Sequence, residues 1–160
     1  MTGSIRPARR DDFPFIHAIA ARPENARFIL DEDDAALAAH IAAPDRDLVI
    51  WEQDGAAQGF ALFAEIGNPA GRVELRRLAL ASPDTGMGKP LLRALIAHGF
   101  DRLGARRIWL DVAGDNLRAQ KTYARAGFVH EGTLRRHWGR PAGDIADLML
   151  YGLLREEWRR

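Results

Sequence analysis

The stretch "VELRRLALASPDTGMGKPLL", Val73 to Leu92, decides how the chain is to be read. Its first part, rich in branched residues, predicts a strand. The apolar–polar alternation stumbles at Arg76-Arg77, where two long polar residues are adjacent. One extra residue re-phases a pleat, so a β-bulge is expected there. The last part opens a helix. Leu91, Leu92, Leu95, Ile96, Phe100 and Leu103 fall at helical spacing, and Gly104 stands where a C-terminal glycine belongs. Between the two lie Gly86, Met87, Gly88, Lys89 and Pro90. Pro90 fits the first helical position, where a missing N–H costs nothing. The glycines let a ligand approach the backbone, and free N–H groups at a helix start attract an anion. On these residues alone, a plain glycine turn and a phosphate cradle are equally admissible. A Walker loop is excluded, because Pro83 replaces its first glycine and Pro90 follows the lysine. A dinucleotide fingerprint is excluded by Leu91 in place of its third glycine.

Outward from this stretch, the pattern predicts the order β α α β β β α β α β β. An edge strand is expected at Ile5 to Ala8, where Pro7 is tolerated. Asp11 or Asp12 caps a first helix, which Pro23 ends, and Asp33 or Asp34 caps a second. Asp54-Gly55 marks a hairpin inside "DLVIWEQDGAAQGFALFAEI". "RRIWLDVAG" is a strand, Asn116 caps a short helix ending at Gly127, and two long strands joined by "GRPAG" close the chain. The fold class is therefore α/β (α+β), with a mixed, mostly antiparallel sheet of about six to seven strands flanked by helices. Residues 1–160 read as a single domain.

Composition narrows the function classes. The chain has 160 residues, 47% hydrophobic and 28% charged, which suits an ordinary globular core. A net charge of +1 argues against a dedicated nucleic-acid binder. There is no cysteine, which excludes disulfides, thiolate metal sites and a cysteine nucleophile. The five histidines show no metal-ligand spacing, so no metal is expected. No signal core and no run near about 18 apolar residues is present, so the expectation is a cytoplasmic protein with no membrane partner. Basic charge comes almost wholly from arginine; with the heavy use of alanine, this hints at a bacterial, GC-rich genome.

A second motif breaks the balance left by the glycine loop. In "DNLRAQKTYARAGFVHEG", Asp115 to Gly132, the residues Asn116, Ala119, Tyr123, Gly127, Phe128 and Gly132 form the pattern Asn-x2-Ala-x3-Tyr-x3-Gly-Phe-x3-Gly. This resembles the GNAT acetyltransferase superfamily. The "LAL" strand, Gly86-Met87-Gly88 and the following helix look like that superfamily's acetyl-CoA-binding segment. "HEGTLRRHW" and "DIADLMLYGLLREEW" are similar to the closing hairpin of its branch of ribosomal-protein N-terminal acetyltransferases.

The resemblance implies roles. The strand before the phosphate loop would splay from its neighbour at the bulge. The exposed backbone of Leu78, Ala79 and Leu80 would bond the pantetheine arm, and an N–H near Leu78 or Ala79 would polarise the thioester carbonyl. Thr85, Gly86, Met87, Gly88 and Lys89 would hold the pyrophosphate, and Asn116 would contact the cofactor arm. Tyr123 would protonate the departing thiolate, a task suited to a phenol. Glu74 and Asp111 both occupy positions used for the base, with the longer Glu74 slightly favoured. Each also has a plainer reading: Glu74 as a strand carboxylate paired with Arg76, Asp111 as a residue orienting the turn after its strand. Trp138 would border the acceptor side. Homodimers are common in the family, and the long final strands offer an edge for one.

The loop also departs from the family pattern. It is short, and Pro83, Asp84 and Thr85 replace residues that are commonly basic, polar or glycine. Asp84 would oppose a pyrophosphate unless it is turned away. The expected activity is direct transfer of an acetyl group from acetyl-CoA to a primary amine, either a small amine or a peptide or protein N-terminus. The alternatives are a non-catalytic acyl-CoA-binding or regulatory module on the same fold and, more remotely, a nucleotide-phosphate binder. The acidic run "LDEDD", Leu30 to Asp34, is either an attractor of cationic amines or a solvated helix start.

Overall fold

In the computed structural model, which describes residues 3–160, the chain begins with the edge strand Gly3–Pro7 (β1). Pro7 fits there because an edge strand is hydrogen-bonded on one side only. Phe13–Ala20 (α1) and the single turn Pro23–Ala26 (α2) follow. The α2 turn was not expected, since four residues carry no readable period. Asp34–Ala42 (α3) is capped by Asp33, whose carboxylate accepts from the Ala36 N–H at 2.8 Å. Asp47–Gln53 (β2) and Ala56–Ala64 (β3) form the expected hairpin, with φ of 51° at Asp54 and 80° at Gly55, as a two-residue primed turn requires.

The remaining elements are Arg72–Leu80 (β4), Gly88–Ala97 (α4), Arg107–Ala113 (β5), Leu117–Arg125 (α5), Val129–Gly139 (β6) and Ile145–Leu154 (β7). Pro90 stands third in α4 rather than first. The placement is still harmless, because the third N–H also lacks an acceptor within the helix.

The strands form one seven-stranded sheet in the order β1-β2-β3-β4-β5-β7-β6. Among the described residues, β4–β5 is the parallel pair and every other neighbour is antiparallel. Helices cover both faces. Val49, Trp51, Ala61 and Phe63 pack with α4, α5 and Tyr151 on one side. Leu48, Ile50, Phe60 and Leu62 pack with α1 and α3 on the other. Leu91, Leu95, Phe100 and Leu153 are fully buried. Each such side chain contributes about 1.5–3 kcal/mol relative to exposure.

Two details shape the site. Leu62 pairs with Arg77 and Phe63 with Leu75, so Arg76 is the extra residue of a bulge in β4, as the broken alternation predicts. On its other side, β4 pairs with β5 only from Arg72–Arg107 to Glu74–Trp109. Bulges bend the strand that carries them. Beyond Glu74 the two strands therefore part and leave a wedge in the middle of the sheet.

Candidate active site

The wedge is a cleft of about 730 Å³. The open half of β4 forms one wall, Asp111 to Ala113 of β5 the other, and α5 lies across one end. Asn25 and Phe28 on the α2 side and Trp138 of β6 border the opposite end.

The exposed edge of β4 follows from strand alternation. The Ala81 N–H donates to the Gln58 carbonyl at 2.8 Å, so the amide of Ala79 also turns to β3. The N–H and C=O groups of Leu78 and Leu80 then face the cleft. Asn25 Nδ2 donates to the Leu80 carbonyl at 3.4 Å from across the cleft, consistent with that orientation. Behind this edge, a Cβ at Gly59 would lie 2.7 Å from the Ala79 carbonyl oxygen. Only glycine lets β3 support β4 so closely.

At the end of β4, Pro83–Thr85 makes a tight turn, which Thr85 holds by donating Oγ1–H to the Ser82 carbonyl at 2.7 Å. Gly86 follows with φ of 77° and open space where a Cβ would stand. No side chain caps α4, so its first-turn N–H groups at Gly88 and Lys89 lack intrahelical acceptors and favour an anion. Asp84 does not oppose that anion as a free charge. Arg118 of α5 places Nη1 2.7 Å from its Oδ1 and also donates to the Pro83 carbonyl. Sequence reasoning missed Arg118, because no local pattern links positions so far apart. Leu78, Ala79, Leu80, Gly88 and Asn116 line the cleft, whereas Thr85, Gly86, Met87 and Lys89 do not. Asn116 caps α5, its Oδ1 accepting from the Ala119 N–H at 3.3 Å.

The three proton-handling candidates, Tyr123, Glu74 and Asp111, all line the cleft. The Tyr123 ring is buried against Phe128 and Tyr151, with centroids 5.9 Å and 6.1 Å away. Burial, and next the charge of Asp111, push its hydroxyl well above the ordinary tyrosine range. The phenol therefore keeps its proton at neutral pH. The Asp111 carboxyl is also raised, first by burial and then by Glu74, while His137 and Arg76 partly offset the shift. Asp111 also keeps an exposed side, open to the cleft it lines. Glu74 is buried and bound by Arg76, whose Nη2 and Nε reach its Oε2 at 2.8 Å and 3.1 Å.

The acidic run of "LDEDD" is not a free cation site. His17 spans Asp31 and Asp34, Nδ1 at 2.8 Å and Nε2 at 2.6 Å. Glu32 is bound by Arg77 and by His40 Nε2 at 3.0 Å, and Asp33 is the α3 cap. Asp115 is held likewise: Arg140 reaches it at 2.8 Å and Arg27 at 2.8 Å, and Arg140 first, then Arg27, lower its pKa to about 2. No group of histidine, aspartate and glutamate among the described residues is arranged to hold a metal. No helix among them is long and apolar enough to cross a membrane.

An open strand edge, an uncapped helix start, a buried phenol and a carboxylate of raised pKa meet at this cleft. The comparisons identify the family. The profile of the acetyltransferase (GNAT) family matches residues 4–128, and the chain belongs to that family. It is 33% identical over 125 residues to an uncharacterized N-acetyltransferase of Mycobacterium bovis, covering 76% of this chain and 78% of that one. It is 36% identical over 118 residues to the mycothiol acetyltransferase of Kineococcus radiotolerans, covering 72% of this chain but 37% of that longer protein. The fold matches the spermidine N-acetyltransferase from Vibrio cholerae, solved in complex with CoA and spermine, with a TM-score of 0.86 over 97% of this chain and 96% of that chain at 22% identity.

Proposed function

We propose that the protein transfers an acetyl group from acetyl-CoA directly to a small primary amine bound in the β4–β5 cleft. The observation that carries this reading is the convergence of the open Leu78–Leu80 edge with Tyr123 and Asp111 in one cleft. Family membership supplies the reaction class. The resemblance of the closing hairpin to the ribosomal-protein branch has no counterpart among the three relatives described above; one is named for mycothiol and one for spermidine. A small amine is therefore preferred over a protein N-terminus.

The residues present fit acetyl-CoA. The Leu78 and Leu80 backbone groups would bind its extended arm as an added strand binds a sheet edge. The α4 start with Gly86, Gly88 and Lys89 would hold its pyrophosphate, with Thr85 and Met87 shaping the loop, and Asn116, which lines the cleft, would contact the arm. When bound, the cofactor supplies an acyl carbon activated as a thioester. In the net reaction that carbon exchanges its bond to sulfur for one to nitrogen, and one proton passes from nitrogen to sulfur. The cleft-facing N–H of Leu78 stabilises negative charge on the carbonyl oxygen. Asp111 takes the amine proton. Its raised pKa brings it nearer the operating pH, where a general base works best. Burial first, and then the charge of Glu74, keep that pKa high. Tyr123 gives its hydroxyl proton to the departing sulfur.

Amine-dependent release of free thiol from acetyl-CoA tests the proposal. Release that requires both an amine and intact Tyr123 is expected. Release at the same rate without any amine, or none with any amine, rules it out.

A further inference from the structure

The sheet has two faces at the wedge, and the helices that carry the cofactor groups lie on one of them. α4 and α5 pack there with Val112, Tyr151 and Leu153, so the α4 start and Tyr123 reach the cleft from that side. Strand register places Glu74, Arg77, Asp111, Leu148 and Trp138 together on the opposite face. Arg77 pairs with Leu62 and Glu74 with Ala64, two residues further along β3. Glu74 also pairs with Trp109, two residues before Asp111. Asp111 pairs with Leu150 and Ala113 with Leu148, and Trp138 pairs with Ala146. Paired residues share a face, as do residues two apart on one strand. Leu148 is thus the diagonal neighbour of Asp111, and Trp138 stands one step beyond it.

Phe28, Ile29 and Leu30 cross over this same face. Arg27 ties one end of their segment to Asp115, after β5, at 2.8 Å, and Glu32 ties the other end to Arg77 of β4. The segment therefore spans the gap between the two strands, and its three apolar residues line the cleft. Leu30 keeps 51% of its surface exposed there, apolar area that a ligand can cover. Trp138 is held by Arg140, whose guanidinium lies 5.6 Å from the ring centroid and donates to Asp115 at 2.8 Å.

The charges around this compartment are matched among themselves, with one exception. Of the carboxylates that line the cleft, Glu74 is bound by Arg76, Asp115 by Arg27 and Arg140, and Glu24 lies 3.7 Å from Arg22. The lining cations Arg77 and Arg118 are bound by Glu32 and Asp84. Asp147 alternates with Leu148 to the other face of β7, where it accepts from the Arg136 N–H at 2.7 Å. Among the described residues, Asp111 is the lining carboxylate without an ion pair. It can serve one amine. A second ammonium would meet Phe28, Leu30, Trp138 and Leu148, and an unpaired charge buried against apolar groups is costly.

We propose that the acceptor is a monoamine: one primary amine, placed at Asp111, on an uncharged apolar body that packs among Phe28, Leu30, Trp138 and Leu148. The proposal rests on the acetyltransferase reading and names the substrate class of that same site. The amine then meets the thioester from the face opposite the helices that hold the cofactor.

The test is acetyl-CoA turnover with two monoamines, hexylamine and 2-phenylethylamine, and two polyamines, 1,5-diaminopentane and spermidine. Hexylamine and 1,5-diaminopentane have the same length and differ only in a terminal methyl against an ammonium. The better monoamine should exceed the better polyamine by roughly tenfold or more in kcat/KM, the least expected from leaving an ammonium unpaired against apolar groups. Trp138→Ala and Leu30→Ser should each cut that ratio several-fold, chiefly through the KM of the monoamine. Leu30 is exposed, so its variant keeps the test open if Trp138→Ala fails to fold. Acetyl-CoA binding by calorimetry and the melting temperature check the fold of both. A polyamine turned over as well as the better monoamine, or a ratio unchanged in both variants, overturns the proposal while leaving the acetyltransferase reading intact. Turnover of no amine at all overturns that reading, and the proposal with it.

Discussion

Arg118 Nη1 lies 2.7 Å from Asp84 Oδ1, so a helix that carries the proposed acid also neutralises the one negative charge in the phosphate loop. Removing the arginine while keeping the aspartate leaves that charge unopposed beside the helix start. Arg118→Gln should weaken acetyl-CoA binding by up to about fivefold, the size of an exposed charge pair of about 0.2–1 kcal/mol. Adding Asp84→Asn should restore most of the loss. Calorimetric titration of the two single variants and the double variant reads this directly.

Tyr123→Phe keeps the ring that packs on Phe128 and Tyr151 and removes only the hydroxyl. The fold should be retained. Losing a general acid should lower kcat about 100-fold or more, with little change in acetyl-CoA affinity. Equal losses in stability and turnover would instead mark the residue as packing.

Asp111 links pH to rate with a definite sign. Glu74 raises its pKa and His137 lowers it. Removing the Glu74 charge in Glu74→Gln should therefore move the acid limb of kcat/KM to lower pH. His137→Gln should move it to higher pH, because it removes a group that lowers the Asp111 pKa. Profiles of the two variants that shift in the same direction would exclude Asp111 as the group titrating.

His17 faces a carboxylate at each ring nitrogen, an arrangement that favours the imidazolium form, in which both nitrogens donate. Its pKa is raised, first by Asp34 and then by Asp31. A raised folded-state value means that the stabilisation is fully present below the unfolded pKa of about 6.5 and is lost as pH rises through the folded value. The stability difference between wild type and His17→Gln should shrink with rising pH across that window. Nuclear magnetic resonance titration of the His17 ring should give a midpoint above 6.5. His40 should behave oppositely, because burial, then Arg46 and Arg76, lower its pKa.

Much of the fold was legible because its signals are local. The broken alternation at Arg76-Arg77 marked the bulge, Asp54-Gly55 the hairpin, and Asn116 with Tyr123 the helix across the cleft. The single turn at Pro23–Ala26 was not legible, being too short for a period. Nor were the partners of the charged groups. Arg27 meets Asp115 across 88 positions and Arg118 meets Pro83 across 35, and neither spacing follows from any helical or strand repeat. The "LDEDD" run shows the consequence. Its charge suggested a site for cations, yet His17, His40 and Arg77 come from three other places in the chain to occupy it.

The central claim is acetyl transfer to an amine at the β4–β5 cleft, and mass spectrometry of the acceptor after incubation with acetyl-CoA tests it most directly. The account predicts a product heavier by one acetyl group on the amine nitrogen, formed by wild type and strongly reduced with Tyr123→Phe. Stoichiometric binding of acetyl-CoA with no acetylated product from any amine would contradict it and identify the chain as an acyl-CoA-binding module.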